Sequence, residues 1–418
     1  MTSKLAPSPT EAGCDRAPGL VSVESARAAL LDGVTPVSGQ ATVPLSLAAG
    51  RVLAAPLRAS FPIPPFDRSA VDGYGLTGSG AGPFSLVGSY PAGSHGPRHV
   101  RPGEAVRLLT GARIPPGVCA VAMQEGCRIE AGGRLRAPVL ADGENIRRCG
   151  EDVASGAPLL EAGIRLDPRH LALLASAGLC EVPVRRRTRV ALLSSGDELL
   201  APGAPLREAA IHDSNRPMLA ALLAASGAEV VDLGLLPDRR DVIAGALAGA
   251  GGFDAIVASG GVSGSEADHL LGALRDAGGE GSWTAIALKP GKPLVFGQLG
   301  EARCLFLPGN PVAALVGALL FARPLLARLA GHAPRPLRGL PARLAAGWQR
   351  KPGREEFAPA MIHDGEELFV ERVGRPGSAR LTPLVAADGL LRVGATAGTL
   401  RAGDMVEFFP FDGCFGLA

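Results

Sequence analysis

The chain has 418 residues, with 42 Lys and Arg against 40 Asp and Glu, for a formal net charge of +2. At roughly 100–200 residues per domain this length implies several cores, and 47% apolar against 20% charged residues excludes wholesale disorder. So even a balance excludes nucleic-acid binding by bulk charge, and the best apolar run, 312–322, stops at Arg323 and Pro324, too short for a membrane span.

Residues 1–19 are polar and Pro-rich without the apolar centre of a signal peptide, and read as a disordered tail. A helix is expected at 23–31, and 45–55 (LSLAAGRVLAA) also carries helical spacing. From 61 to 148 the texture changes to short β-like runs split by Gly and Pro, which predicts a β domain. Helix-compatible material returns in 149–187, chiefly at 168–178. Flanks of like texture around a β segment suggest one domain, 20–60 with 149–187, interrupted by another.

Residues 188–331 alternate short buried runs with helical stretches. Runs at 190–194, 229–233, 255–258, 284–288, 294–296 and 304–306 interleave with helical spacing at 216–226, 239–250, 267–277 and 311–329. That alternation predicts a doubly wound, mostly parallel α/β domain covered on both faces. From 332 to 418 the pattern is β-like again, a small C-terminal β domain. The fold class is therefore α/β multidomain. The seven cysteines form no CxxC pair and are odd in number, as expected of free thiols in a reducing, cytoplasmic setting.

In an open parallel sheet, ligands bind outside the carboxyl ends of the strands. The loops expected there are Ser194-Ser195-Gly196-Asp197-Glu198, Gly234–Asp238, Ser259-Gly260-Gly261-Val262-Ser263 running on to Asp268, and Pro308-Gly309-Asn310 at the entry to a helix. Glycines permit close backbone approach, and amides at helix starts make an anion cradle. Carboxylates beside such a cradle repel phosphate unless a divalent cation, most often Mg2+, lies between them, so Glu198, Asp238 and Asp268 are candidate metal or water ligands. Only four residues are lysine, and two of them, Lys289 and Lys292, share the segment LKPGKP, where compact ammonium groups suit an oxyanion. Taken singly, each loop also has a plain account: a strand–helix turn, a charge complementing a helix dipole, or a helix-entry residue. Co-location at one sheet edge is what joins them. Two further polar clusters stand in the β segment, around FDRSAVDGY and Thr110, and a third at NIRRCGED.

FDRSAVDGY, AVRLLTGARIPPG, NIRRCGEDV, SSGDEL, HDSNRP, SGGVSGSEAD, LKPGKP and LPGNPV occur in this order. Together they resemble the MoeA family of molybdopterin molybdenumtransferases, over residues 20 to the C-terminus. The resemblance implies an extended α+β domain (20–60 and 149–187), an inserted β domain (61–148), an α/β molybdopterin-binding domain of molybdopterin-adenylyltransferase type (188–331), a C-terminal β-barrel-like domain (332–418), and a homodimer. It implies insertion of molybdenum from molybdate into adenylylated molybdopterin, with Mg2+-dependent release of AMP. It places Glu198, Asp238 and Asp268 in the catalytic and metal-binding role, and Lys289, Lys292, Arg354 and Ser378 at molybdate. The loop residues Ser195, Gly196, Asp197, Ser259, Gly260, Gly261, Ser263, Pro308, Gly309 and Asn310 fall to the molybdopterin nucleotide, and Asp67, Thr110 and Asp152 to the cleft. Cys119 stands where many relatives carry Asp, and Val71 where Met is common. Tungstate matches molybdate in size and charge and stays open. Adenylylation of molybdopterin, which would consume ATP, and a purely scaffolding role are the rival readings.

Overall fold

The computed structural model describes residues 19–78, 82–94, 99–262, 269–334, 336–363, 365, 367–374, 377 and 379–415; the expected site residues Ser263, Asp268 and Ser378 lie outside the described residues. The chain divides into two compact units, residues 42–49 with 53–183, and residues 1–41, 50–52 and 184–418.

The first of these is built on a six-stranded sheet ordered Ala120–Met123, Gly73–Leu76, Glu104–Leu108, Phe84–Tyr90, Arg134–Arg136, Arg128–Ile129. Alternation along the strands sends Tyr74, Leu76 and Ala105 to one core and Val106, Leu108 and Val121 to another, because successive side chains leave opposite faces of a strand. A helix at Pro168–Ser176 completes this unit, with Asp167 accepting the His170 N–H and the His170 ring accepting the Asp167 N–H in a reciprocal cap. The helical spacing of 45–55 is not realised. Only a single turn, Leu45–Leu47, forms. Gly50 takes φ +72°, which no continuing helix tolerates; Ala48, Val52 and Leu53 are buried without a helix, and Leu47 is left exposed.

The larger unit holds the α/β domain. Its elements in chain order are β1 (Arg189–Ser195), α1 (Asn215–Ala225), β2 (Glu229–Leu236), α2 (Arg240–Ala248), β3 (Ala255–Ser259), α3 (Leu270–Asp276), β4 (Glu280–Ala285), β5 (Leu288–Lys289), β6 (Pro293–Leu299), β7 (Ala302–Leu307) and α4 (Pro311–Leu329). The sheet order is β2-β1-β3-β7-β6-β4. The first four strands are parallel, and β6 and β4 close one edge antiparallel. β3 is buried at every position and β1 at every position after Arg189, as a strand covered on both faces must be. Val190, Leu192, Val257 and Leu305 join a core with α1 and α4. Their neighbours Ala191, Leu193, Ile256 and Phe306 join α2 and α3 on the opposite face. Helices on both faces of a mostly parallel sheet make this the doubly wound architecture expected.

Helix α4 runs through Arg323 and Pro324, where its apolar run was expected to stop. A widened turn at Ala318–Ala322 precedes the proline, at the place where its ring would meet a carbonyl one turn back. By length and hydropathy α4 could cross a bilayer, but 78% of its apolar window is buried inside the protein, as a core helix. The helix Val23–Leu31 packs Val23, Ala26 and Leu30 into the same core.

Five strands follow: β8 (Leu340–Leu344), β9 (Glu355–His363), β10 (Phe369–Arg372), β11 (Gly389–Val393) and β12 (Met405–Pro410), with the short α5 (Leu381–Val385) before β11. The pairings β9-β10-β8-β12-β11 return to β9 and close a barrel, which leaves no open edge among these strands. Leu391 and Phe408 point into the barrel, while their chain neighbours Leu390 and Phe409 pack outward into the core that holds α4. Strand β5 adds to β9 in parallel, Lys289 beside Glu356.

Candidate functional site

The strand register decides what gathers at the sheet edge. Ser195 pairs with Leu236, Ser194 with Ser259, and Ser259 with Leu307. The carboxyl ends of β1, β2, β3 and β7 therefore lie side by side, and β1 between β2 and β3 makes this the point where the strand order reverses. A cavity of about 1060 Å3 opens here.

Of the expected residues, Ser195, Glu198, Asp238, Ser259, Gly260, Gly261, Lys289, Lys292, Pro308, Gly309, Asn310 and Arg354 line it. Gly196 and Asp197 are not among its lining residues. Asp197 is turned to the backbone, accepting the Asp238 N–H at 3.0 Å, so it shapes the loop rather than offering a free carboxylate. A Cβ on Gly196 would lie 2.7 Å from Glu198 Oε2, so the glycine leaves room for that side chain. Asp67, Thr110 and Asp152 belong to the other unit. There Asp67 accepts the Cys149 N–H at 2.7 Å and the Arg148 guanidinium at 2.8 Å. Burial would raise its pKa, but these donors together hold the carboxyl below its ordinary value. Thr110 donates both its N–H and its hydroxyl to Asp72 at 2.7 Å.

The floor of the cavity is backbone. Gly260 takes φ +102°, and a Cβ there would sit 2.2 Å from the Ser195 carbonyl oxygen. Only glycine lets the ends of β1 and β3 approach this closely. Asn215, at the start of α1, donates from Nδ2 to Ser259 Oγ and to the Gly309 carbonyl, both at 2.7 Å, and so ties α1 to two of the loops. The buried Asp213 accepts the N–H groups of Asn215 and Arg216 and the Arg216 guanidinium, capping α1. Its charge is thereby committed to the fold.

The cavity carries both signs of charge. On the sheet side stand Glu198 and Asp238, and Ser195 donates its hydroxyl to Asp238 Oδ1. Other elements bring the cations to the same cavity: Lys289 at the end of β5, Lys292 before β6, and Arg354, Arg372 and Arg380. Gly291, φ +110°, turns the lysine loop. Burial pushes the Arg372 guanidinium below its ordinary pKa, against the opposing pull of Glu356, and it lies over the Trp348 ring at 4.3 Å. Lys289 Nζ contacts Glu356 Oε1 at 2.8 Å.

Among the described residues no three His, Cys, Asp or Glu side chains gather as a metal cluster. Two carboxylates suffice for Mg2+, which keeps waters and takes its other ligands from phosphate oxygens. Glu198 and Asp238, which both line the cavity, are the carboxylates that could serve a hard cation in this way.

Sequence reasoning missed Asp213, Asn215, Glu356 and Arg372. Asn215 carried a signal, being one of three asparagines and part of HDSNRP. Glu356 sits two residues from Arg354 in GREEF, and only strand pairing brings it to Lys289.

Three family descriptions match the chain. "MoeA N-terminal region (domain I and II)" spans residues 21–178, "Probable molybdopterin binding domain" 191–328, and "MoeA C-terminal region (domain IV)" 341–411. A molybdopterin molybdenumtransferase of Haemophilus influenzae is 35% identical over 405 residues, 95% of this chain and 100% of that protein. Its counterpart in Bacillus subtilis is 31% identical over 364 residues, 83% and 84% of the two chains. The crystal structure of a molybdopterin biosynthesis moeA protein from Pyrococcus horikoshii superposes with a TM-score of 0.79 at 29% identity, covering 94% of this chain and 100% of that one. With these matches along nearly its whole length, the chain belongs to the MoeA family, whose curated relatives are molybdopterin molybdenumtransferases.

Proposed function

We propose that this chain is a molybdopterin molybdenumtransferase that inserts molybdenum from molybdate into adenylylated molybdopterin, with Mg2+-dependent release of AMP, as a late step in making the molybdenum cofactor. The observation that carries this reading is the mixed charge of the cavity, where Glu198 and Asp238 of the sheet-edge loops share one space with lysines and arginines. A tetrahedral dianion and a phosphoanhydride both need positive charge, the first from lysine and arginine and the second from a divalent cation that the carboxylates would hold.

The glycine-lined ends of β3 and β7 favour close approach of phosphate oxygens. Glu198 and Asp238 would hold Mg2+, which when bound lowers the repulsion between phosphate charges and any incoming nucleophile. Ser195 holds one oxygen of Asp238, which fixes the direction of the other. Lys289, Lys292 and Arg354 supply the positive field for molybdate. Asp268 and Ser378 are assigned to the carboxylate and molybdate groups on sequence alone.

The test is AMP release by the full-length protein given adenylylated molybdopterin and Mg2+, with and without molybdate, alongside Asp268→Ala and Asp238→Ala. Molybdate-dependent release, lost in both variants, supports the proposal. Equal release by all three proteins moves the chemistry elsewhere. Consumption of ATP with free molybdopterin instead would make the chain an adenylyltransferase.

A further inference from the structure

The two glutamates of GREEF leave β9 on opposite faces, as neighbours on a strand must. Glu355 pairs with Arg392 at 2.8 Å. Glu356 turns to the cavity and meets two cations of very different standing. Arg350 reaches its Oε2 at 3.3 Å, with only 1% of the arginine side chain exposed. The Arg350 guanidinium also donates to the carbonyls of Gly394 at 3.0 Å, of Arg354 at 2.6 Å, and of Ala397. That cation is fixed. Lys289 reaches the other oxygen, Oε1, at 2.8 Å, with 48% of its side chain exposed. That one is free to move. Arg372, which also lines the cavity, is the third cation facing this carboxylate.

We propose that Glu356 is a positioning residue, the resting counter-ion of Lys289, which holds the ammonium in place while the cavity is empty and yields it to an arriving tetrahedral oxyanion. Arg350 makes the exchange tolerable. A carboxylate this buried would be costly if left unpaired, and Arg350 keeps it paired when Lys289 departs. Glu356 then opposes the oxyanion by competing for Lys289, so it weakens resting affinity and favours release. This inference rests on the reading of the cavity as a molybdate site.

Equilibrium dialysis of molybdate against the full-length protein at low ionic strength tests it, with wild type, Glu356→Gln, Glu356→Asp, Lys289→Met and the Glu356→Gln/Lys289→Met double variant. Glu356→Gln is expected to bind molybdate about 3- to 10-fold more tightly, because Lys289 no longer has to leave a charged partner to meet the dianion. KM for molybdate should fall in step while kcat changes less than about twofold. Glu356→Asp, which keeps a carboxylate for Arg350 but withdraws it from Lys289, should tighten binding by a smaller factor. In the Lys289→Met background, Glu356→Gln should gain less than about twofold, since the competition runs through the lysine. Unchanged or weaker binding in Glu356→Gln overturns the proposal, as does equal tightening with and without Lys289. Should Glu356→Gln fail to fold, Glu356→Asp decides by the same sign. A wild-type protein that binds no molybdate sinks the molybdate reading itself.

Discussion

Ser195, the last residue of β1, donates its hydroxyl to Asp238, two residues beyond the end of β2, and the Asp238 N–H is held in turn by Asp197. Two loops are thereby locked together at the sheet edge, with one carboxylate aimed and the other spent on aiming it. Removing Asp238 should abolish function without unfolding the chain. Asp238→Ala is expected to lower kcat/KM for molybdate-dependent AMP release by about 100-fold or more, a loss typical of a deleted electrostatic element. Ser195→Ala should cost about 10-fold, since it only orients. Both are read by steady-state kinetics, with circular dichroism as the check on folding.

Gly260 is the tightest point of the floor. Its φ of +102° is strained for any other residue, and an added Cβ would lie 2.2 Å from the Ser195 carbonyl oxygen. Gly260→Ala must push β1 and β3 apart at the cavity end, so destabilisation of about 2–4 kcal/mol is expected. Urea unfolding gives the number. A fully stable Gly260→Ala protein would contradict this account.

Asp213 is a fold residue inside a functional cavity. Its side chain is 2% exposed, caps α1 and pairs with Arg216, which also bonds Asp232. Asp213→Ala removes the cap and leaves a largely buried guanidinium short of a partner, for a loss of about 2–4 kcal/mol. Arg216 keeps Asp232, which limits the damage. Thermal denaturation of Asp213→Ala against Asp213→Asn separates the cap, which asparagine retains, from the charge.

The buried thiols should be inert and the exposed ones reactive. Burial pushes Cys304 from its ordinary 9.0 up to about 12, and Cys414 up to about 11 against the opposing pull of Arg323. Cys149 and Cys180 are exposed. Alkylation of the native protein at pH 8 followed by peptide mass mapping should mark Cys149 and Cys180 and spare Cys304 and Cys414. Because these folded-state values are raised, the stability they contribute is complete below pH 9 and is lost as pH climbs through 11 to 12. The urea midpoint should therefore fall between pH 8 and pH 10.5. Acid acts on both units, on Asp67 and Glu151 in the smaller and on Asp241 and Asp276 in the larger; all four are held below their ordinary values, so their contribution is lost as pH falls through those lowered values.

Much of the α/β domain is legible residue by residue. The helix Val23–Leu31 and the span of α4 follow from apolar spacing alone, and β1, β3 and β7 from short apolar runs bounded by Gly and polar residues. Parallel strands joined by helices must deliver their carboxyl ends to one edge, so the company of Ser195, Asp238, Ser259 and Gly309 follows from local pattern plus topology. Local pattern also misleads. Residues 45–55 have helical spacing, and Ala48, Val52 and Leu53 are buried, but Gly50 at φ +72° turns the chain out of a helix after a single turn. Pro324 does not end α4 because the turn before it widens.

What the sequence determined by itself is the family, the alternation of elements and the list of charged loops, all carried by residues near one another in the chain. Only the tertiary structure decided how those charges are used. Asp197 serves the backbone, Asp213 serves a helix, and Lys289 rests on a glutamate 67 positions away, paired across β5 and β9. The physical reason is that a carboxylate's role is fixed by which donors reach it, and donors arrive through strand register and side-chain direction. Neither quantity is written in the spacing of residues along the chain.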